Sequence, residues 1–315
     1  MRWASDMRGL DFSLGRSAIG LNPGVSALRR RVFDFTTGTM PPGAALSRAG
    51  SGLSFGASGG LGVSGANLAR FDHDPATGVL LGLLIEPGAT NIVPNSAPVV
   101  ENLNISACTA ANLALNALGV FPGVQVISDG SSWGRVRHAA EVGAGKTYAI
   151  TCYLRAGTSG RARFVCSAGS SETVVAGPIG ALANTRSDLG TCTSINELLL
   201  ADGLTRRLRM VFDSTYSGAA TFGLGMDSGV AGQTVIYLGM QVEEGAAASS
   251  FILNGNTPVA RAADQLSLTG LSGRFDLTLD YAGGGTGTIS GATVAPGYIV
   301  ATTGRHLRRI TAVPG

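Results

Sequence analysis

Lysine is almost missing from this chain: of its 23 basic residues only Lys146 is lysine, and the rest are arginine. Charged residues make up 14% and aromatics 6%. A nucleic-acid binder clusters positive charge with aromatics, and no such cluster occurs, so the net charge of +3 implies no nucleic-acid partner. The arginine bias fits a GC-rich genome better than a charged partner. Cys108, Cys152, Cys166 and Cys192 are the only cysteines and none forms a C-x-x-C pair. Cys152 and Cys166 fall in strand-like patterns where small buried thiols are common, so neither a metal site nor a disulfide framework is expected. No apolar run reaches the ~18 residues that a membrane-spanning helix needs, so no membrane insertion is expected. The N-terminal stretch "MRWASDMRGLDFSLGRSAIG" lacks a continuous apolar core, and no secretion signal is read there.

What the chain does have is glycine, 47 residues of it, together with serine, threonine and alanine. That mixture suits many short strands joined by glycine turns rather than long helices. Residues 1–35 are basic, with scattered anchors such as Trp3, Leu10 and Phe12, and read as an extended attachment arm laid on a partner. Residues 36–85 open on turn formers and read as a β-rich connecting segment. From 86 to 270 strand follows strand. In "RVRHAAEV", Val136, His138, Ala140 and Val142 share one face while Arg135, Arg137 and Glu141 share the other. In "LTRRLRMVF", Leu208 and Met210 likewise oppose Arg207 and Arg209. One dry face and one wet face marks antiparallel sheets in a sandwich, and the number of strands fits a jelly roll. Residues 271–315 read as a small C-terminal β-unit. The expected fold class is therefore all-β, an antiparallel jelly-roll β-sandwich with an N-terminal arm.

Four local patterns resemble chemistry and fail on context. "EVGAGKTYAI" ends like a phosphate loop, but position 140 is alanine and a strand follows instead of a helix, so Gly143 and Gly145 read as hairpin residues. "GSSWG" (130–134) matches a nucleophile elbow, yet it too leads into a strand, and His138 lies on that strand's apolar face. Asp72, His73 and Asp74 are adjacent on an extended chain and point alternately, which suits a capped turn better than a metal site. Glu243 and Glu244 are neighbours on a strand and face opposite ways, which disfavours a carboxylate pair for glycan cleavage. No catalytic residue and no cofactor is expected.

Several segments taken together resemble a known family. "TMPPGAALSRAGSGLSF", "ARFDHDPATG", "GLLIEPGATNIVPNS", "AEVGAGKTYAITCYLRAG" and "YLGMQVEEGAAASSFILNGNTPVARAADQLSL" are similar, in this order and over about residues 38–270, to a module of tailed-bacteriophage tail-fibre and head-spike proteins. The likeness is greatest to the head spike fibre of alphaproteobacterial gene transfer agents. In one respect the chain departs: "FILNGNTP" lacks the tyrosine common in that link. The resemblance implies a jelly roll like carbohydrate-binding modules, displayed on a particle surface. It further implies binding to cell-surface or capsular polysaccharide during host adsorption, and repetition as a homo-oligomer. Attachment to a particle base, capsid or tail protein would fall to residues 1–35. Sugar recognition combines an aromatic platform with donors, and arginine pairs carboxylates bidentately. Trp133, Arg135 and Arg137 are the expected sugar contacts, both arginines facing outward about 7 Å apart along one strand. Tyr153 and Arg163 are expected on adjoining strands. The alternatives are a structural connector that mounts another fibre, and a capsule depolymerase.

Overall fold

The computed structural model describes residues 29–315, so most of the expected arm, residues 1–28, lies outside the described residues. Seven short strands come first: β1 (Arg31–Asp34), β2 (Ala44–Ser47), β3 (Gly52–Phe55), β4 (Leu61–Ser64), β5 (Phe71–His73), β6 (Leu80–Leu84) and β7 (Ala89–Asn91). Twelve make the sandwich. They are β8 (Asn104–Ser106), β9 (Cys108–Asn112), β10 (Val124–Ser128), β11 (Arg135–Val142), β12 (Thr147–Ala156) and β13 (Arg161–Ala168), then β14 (Ser171–Pro178), β15 (Ala183–Ser187), β16 (Gly190–Leu199), β17 (Arg206–Ser214), β18 (Gly218–Met226) and β19 (Thr234–Glu244). Six more close the chain: β20 (Val259–Arg261), β21 (Gln265–Leu268), β22 (Gly273–Tyr281), β23 (Thr286–Val294), β24 (Tyr298–Ile299) and β25 (His306–Pro314).

The sandwich has two six-stranded antiparallel sheets. The front sheet runs β16-β17-β12-β19-β10-β9 and the back sheet β15-β14-β13-β18-β11-β8. The chain crosses repeatedly between them, as in a jelly roll, and the all-β sandwich expected from the sequence is what the chain forms. Period-2 alternation supplies the core between the sheets: Ile150, Cys152 and Leu154 of β12, Leu208, Met210 and Phe212 of β17, and Phe164, Phe222 and Leu224 from the back sheet. Val136, His138 and Val142 of β11 point inward as the sequence indicated. His138 is buried at 2% exposure, its Nε2 2.7 Å from Tyr237 Oη. Burial pulls its pKa from 6.5 to about 4, so it sits in the core as a neutral ring.

The front sheet is covered on its outer face as well. Tyr153 and Leu238 pack there against Phe55, Leu61, Phe121 and Phe251. The covering unit draws on both ends of the chain. β1, β5 and β6 join β22, β23 and β25 in one sheet, and β2 joins β21 and β24 in another. Phe33, Phe35 and Leu83 share a core with Leu268, Phe275, Leu277 and Ile310. The connecting segment 36–85 and the unit 271–315 are therefore halves of one body, and the stretch read as an arm gives this body its residues 31–35. Both phenylalanines are fully buried, so their exposure on a free arm would cost the packing that they supply.

Between this body and the sandwich lies a buried charge network. Glu86 meets Arg70 at 3.0 Å, Arg261 at 3.4 Å and Arg305 at 2.6 Å. Asp264 meets Arg48 at 2.9 Å and Arg70 at 2.6 Å. These residues come from segments far apart along the chain: Arg48 in "SRAGSG", Arg70 in "ARFDHD", Glu86 in "LIEPG", Arg261 and Asp264 in "ARAAD". Segments far apart in sequence thus meet at one junction.

Candidate functional site

The expected sugar-contacting residues fall on the outer face of the back sheet, except one. β11 pairs with β18 and β18 with β13, which sets Arg135, Gly225 and Arg163 in one row and Arg137, Gly223 and Val165 in the next. The glycines matter because they leave a channel across β18. A side chain at Gly225 would drive into the Gly134 carbonyl, and one at Gly223 would stand 2.7 Å from the Val136 carbonyl oxygen. Arg135 lies in this channel and reaches Ser167 Oγ at 3.2 Å and Glu172 Oε1 at 3.1 Å.

Arg135 therefore departs from expectation. It is on the outward side, as alternation requires, but only 6% exposed. Burial lowers its pKa, Glu172 opposes this, and the neighbouring Arg137 and Arg163 add to it. Arg163 donates from Nη2 to Glu172 Oε2 at 3.1 Å and Arg186 from Nη1 to the same oxygen at 3.2 Å. Arg135 and Arg163 also donate to the Trp133 and Ser132 carbonyls, at 3.1 and 3.4 Å. Both arginines hold the turn that carries Trp133. Trp133 itself is 49% exposed, a large side chain presented to solvent. Arg137 is half-buried and has no hydrogen bond or ion pair among the described residues, its Nε included. Three arginines (Arg135, Arg163 and Arg186) thus meet two carboxylates, Glu172 and Asp188, on this face, with Arg137 beside them.

Tyr153 is not part of it. The side chain is 2% exposed on the other sheet, in a ring cluster with Phe121 and Phe251 at centroid distances of 5.1 and 5.4 Å. The strand pattern "TYAITCYL" alternates, but β12 is central and covered on both faces, so neither face meets water. Glu172 and Arg186 were missed from sequence. Their signal was weak: Glu172 is three residues past the hairpin glycine Gly169, in phase with Val174 on one face.

The remaining local patterns resolve into structure. Gly145 takes φ +75° in the hairpin, and Lys146 Nζ meets Glu244 Oε1 at 2.6 Å on the surface. Asp74 caps its turn through the Ala76 and Thr77 amides at 3.0 and 2.8 Å. Asp72 accepts from the Phe55 amide at 2.7 Å and faces His306 Nε2 at 2.8 Å. Glu243 is buried beneath Ser249 and Gln241, whereas Glu244 is exposed, so the pair does diverge. Among the described residues no helix is long and apolar enough to cross a membrane.

No family model matches the chain, and a search of curated proteins finds no match.

Proposed function

We propose that this protein is a non-enzymatic fibre or spike subunit on the surface of a phage or gene-transfer-agent particle. In this reading the back-sheet face at Trp133 and Arg137 grips cell-surface polysaccharide. The observation that carries the reading is the exposed Trp133, mounted by buried Arg135 and half-buried Arg163 beside Arg137, which is unpaired among the described residues. A rigid aromatic platform next to a free guanidinium suits the apolar face and the acidic group of one sugar. The jelly-roll-like sandwich and the sequence resemblance point the same way. Residues 1–28 would fasten the subunit to a particle base, and repetition in a homo-oligomer would raise avidity by about 10²–10⁴ over one site.

The test follows from the geometry. Arg135 is structural, so the informative change is Trp133→Ala with Arg137→Ser. Each contact contributes roughly 1 kcal/mol at an exposed site. Together that is about 2 kcal/mol, so affinity for immobilised acidic polysaccharide should drop about 30-fold per site, while the melting temperature stays nearly unchanged. Wild-type binding should weaken as salt rises. Undiminished retention by the double variant rules out this face. A wild type that holds no polysaccharide at low salt favours the connector instead.

A further inference from the structure

The outer face of the front sheet carries a second arginine pair that the Trp133 face does not use. On β17, Leu208 and Met210 enter the sandwich core, so Arg207 and Arg209 point the other way, toward the covering body. They line a cavity of about 180 Å³ whose opposite wall includes Asp72, Arg305 and His306. Arg207 is 8% exposed, its guanidinium 5.8 Å from the centroid of the Phe55 ring. Among the described residues neither Arg207 nor Arg209 has a carboxylate within 4.0 Å or any hydrogen-bond acceptor, and both Nε atoms are buried without a partner.

The nearby carboxylates are already engaged. Asp72 holds the Phe55 amide and faces His306, and Asp74 holds its own turn. Glu86 and Asp264 are shared among Arg48, Arg70, Arg261 and Arg305. Arg209, half-buried, falls to about 10, chiefly through burial and then through the adjacent Arg207, which Tyr153 and Glu86 only partly oppose. Buried polar groups are nearly always bonded, and an unpaired buried charge is costly. The cavity is several times the ~30 Å³ share of one water molecule, so it has room for a group larger than a single water.

We propose that this junction cavity binds a small oxyanion, a carboxylate, sulfate or phosphate group, clasped by Arg207 and Arg209. The anion would supply the missing acceptors and tie the sandwich to the covering body. This site is independent of the Trp133 face, on the opposite sheet. The ligand chemistry has two sources, a free inorganic ion or the acid group of a sugar, and the probes separate them.

The experiment uses the full chain in sulfate, phosphate, chloride and glucuronate at equal ionic strength, followed by thermal melting and titration calorimetry. Two charge-assisted contacts predict a Kd near ~1 mM. At 10 mM sulfate or phosphate, roughly ten times that Kd, the melting temperature should rise about 3 °C over chloride. An equal rise with glucuronate assigns the site to a sugar acid; a rise with the inorganic ions alone assigns it to a free ion. Arg209→Met should melt at or above wild type in chloride, because it removes repulsion, and should lose the oxyanion increment and the calorimetric signal. Arg207→Met should lose them too. No oxyanion-specific increment in the wild type overturns the proposal, and so does an increment that persists in Arg209→Met.

Discussion

Glu86→Ala should be among the most destabilising single changes in this protein. The carboxylate is 3% exposed and meets three guanidinium groups, with Arg305 closest at 2.6 Å. It also accepts the Ser250 amide at 2.7 Å and the Ser250 hydroxyl at 2.6 Å. Removing one partner of a buried ion pair costs about 3–5 kcal/mol, because the other charges stay buried and uncompensated. In a protein of this size that is roughly a 10 °C fall in melting temperature. Glu86→Gln keeps the volume and one acceptor for Ser250, and should lose about half as much. A loss below about 1 kcal/mol in Glu86→Ala, measured by chemical unfolding, would show that the network contributes nothing net.

Acid should weaken the fold in two stages. The first belongs to His138. Its pKa is about 4 in the fold against 6.5 in the unfolded chain, so the unfolded state binds the proton more tightly. The stability is complete above pH 6.5 and is lost as pH falls toward 4, about 3 kcal/mol in all. The second belongs to Glu86. Burial alone would raise its pKa, but Arg305, Arg261 and Arg70 overcome burial and bring it from 4.5 to about 2. Its contribution, also about 3 kcal/mol, is present above pH 4.5 and is lost as pH falls through 2. Glu243 works the other way. Burial raises its pKa, so the folded state is relieved as this group protonates, which blunts the losses above pH 4.5. Unfolding free energies measured from pH 7 to pH 2 check the sum. His138→Gln keeps a partner for Tyr237 and removes the titration, so its curve should be flat between pH 6.5 and 4.5 apart from the contribution of Glu243. The same slope in that variant would assign the acid loss elsewhere.

The parts of the fold that were legible in the sequence are those set by neighbours along the chain. Alternation in "RVRHAAEV" placed Val136, His138 and Val142 inside, because a strand turns successive side chains to opposite faces whatever it pairs with. The hairpin at Gly145 and the capped turn at Asp74 were readable for the same reason: a positive φ and an Asp-to-amide bond span only a few residues. The position of Trp133 just before a strand, with Arg135 and Arg137 on its outward side, was equally local.

Exposure was not local, because it depends on what lies over a face. Tyr153 is buried because β12 is the middle of three layers, and nothing in "TYAITCYL" records the covering body. Arg135 is buried because Glu172, reached across two glycines of β18, draws it flat against the sheet. The two ends of the chain share one sheet because Phe33 and Ile310 fit one core, a pairing between residues that have no common local signal. By itself the sequence determined the all-β class, the strand faces and the turns, since backbone geometry and side-chain periodicity act within a few residues. Only the tertiary structure decided which faces are dry, that Arg48, Arg70, Glu86, Arg261 and Asp264 converge, and that Arg207 and Arg209 have no carboxylate partner among the described residues. Those outcomes depend on packing between distant strands, where burial and charge compensation are set by whichever surfaces the fold brings together.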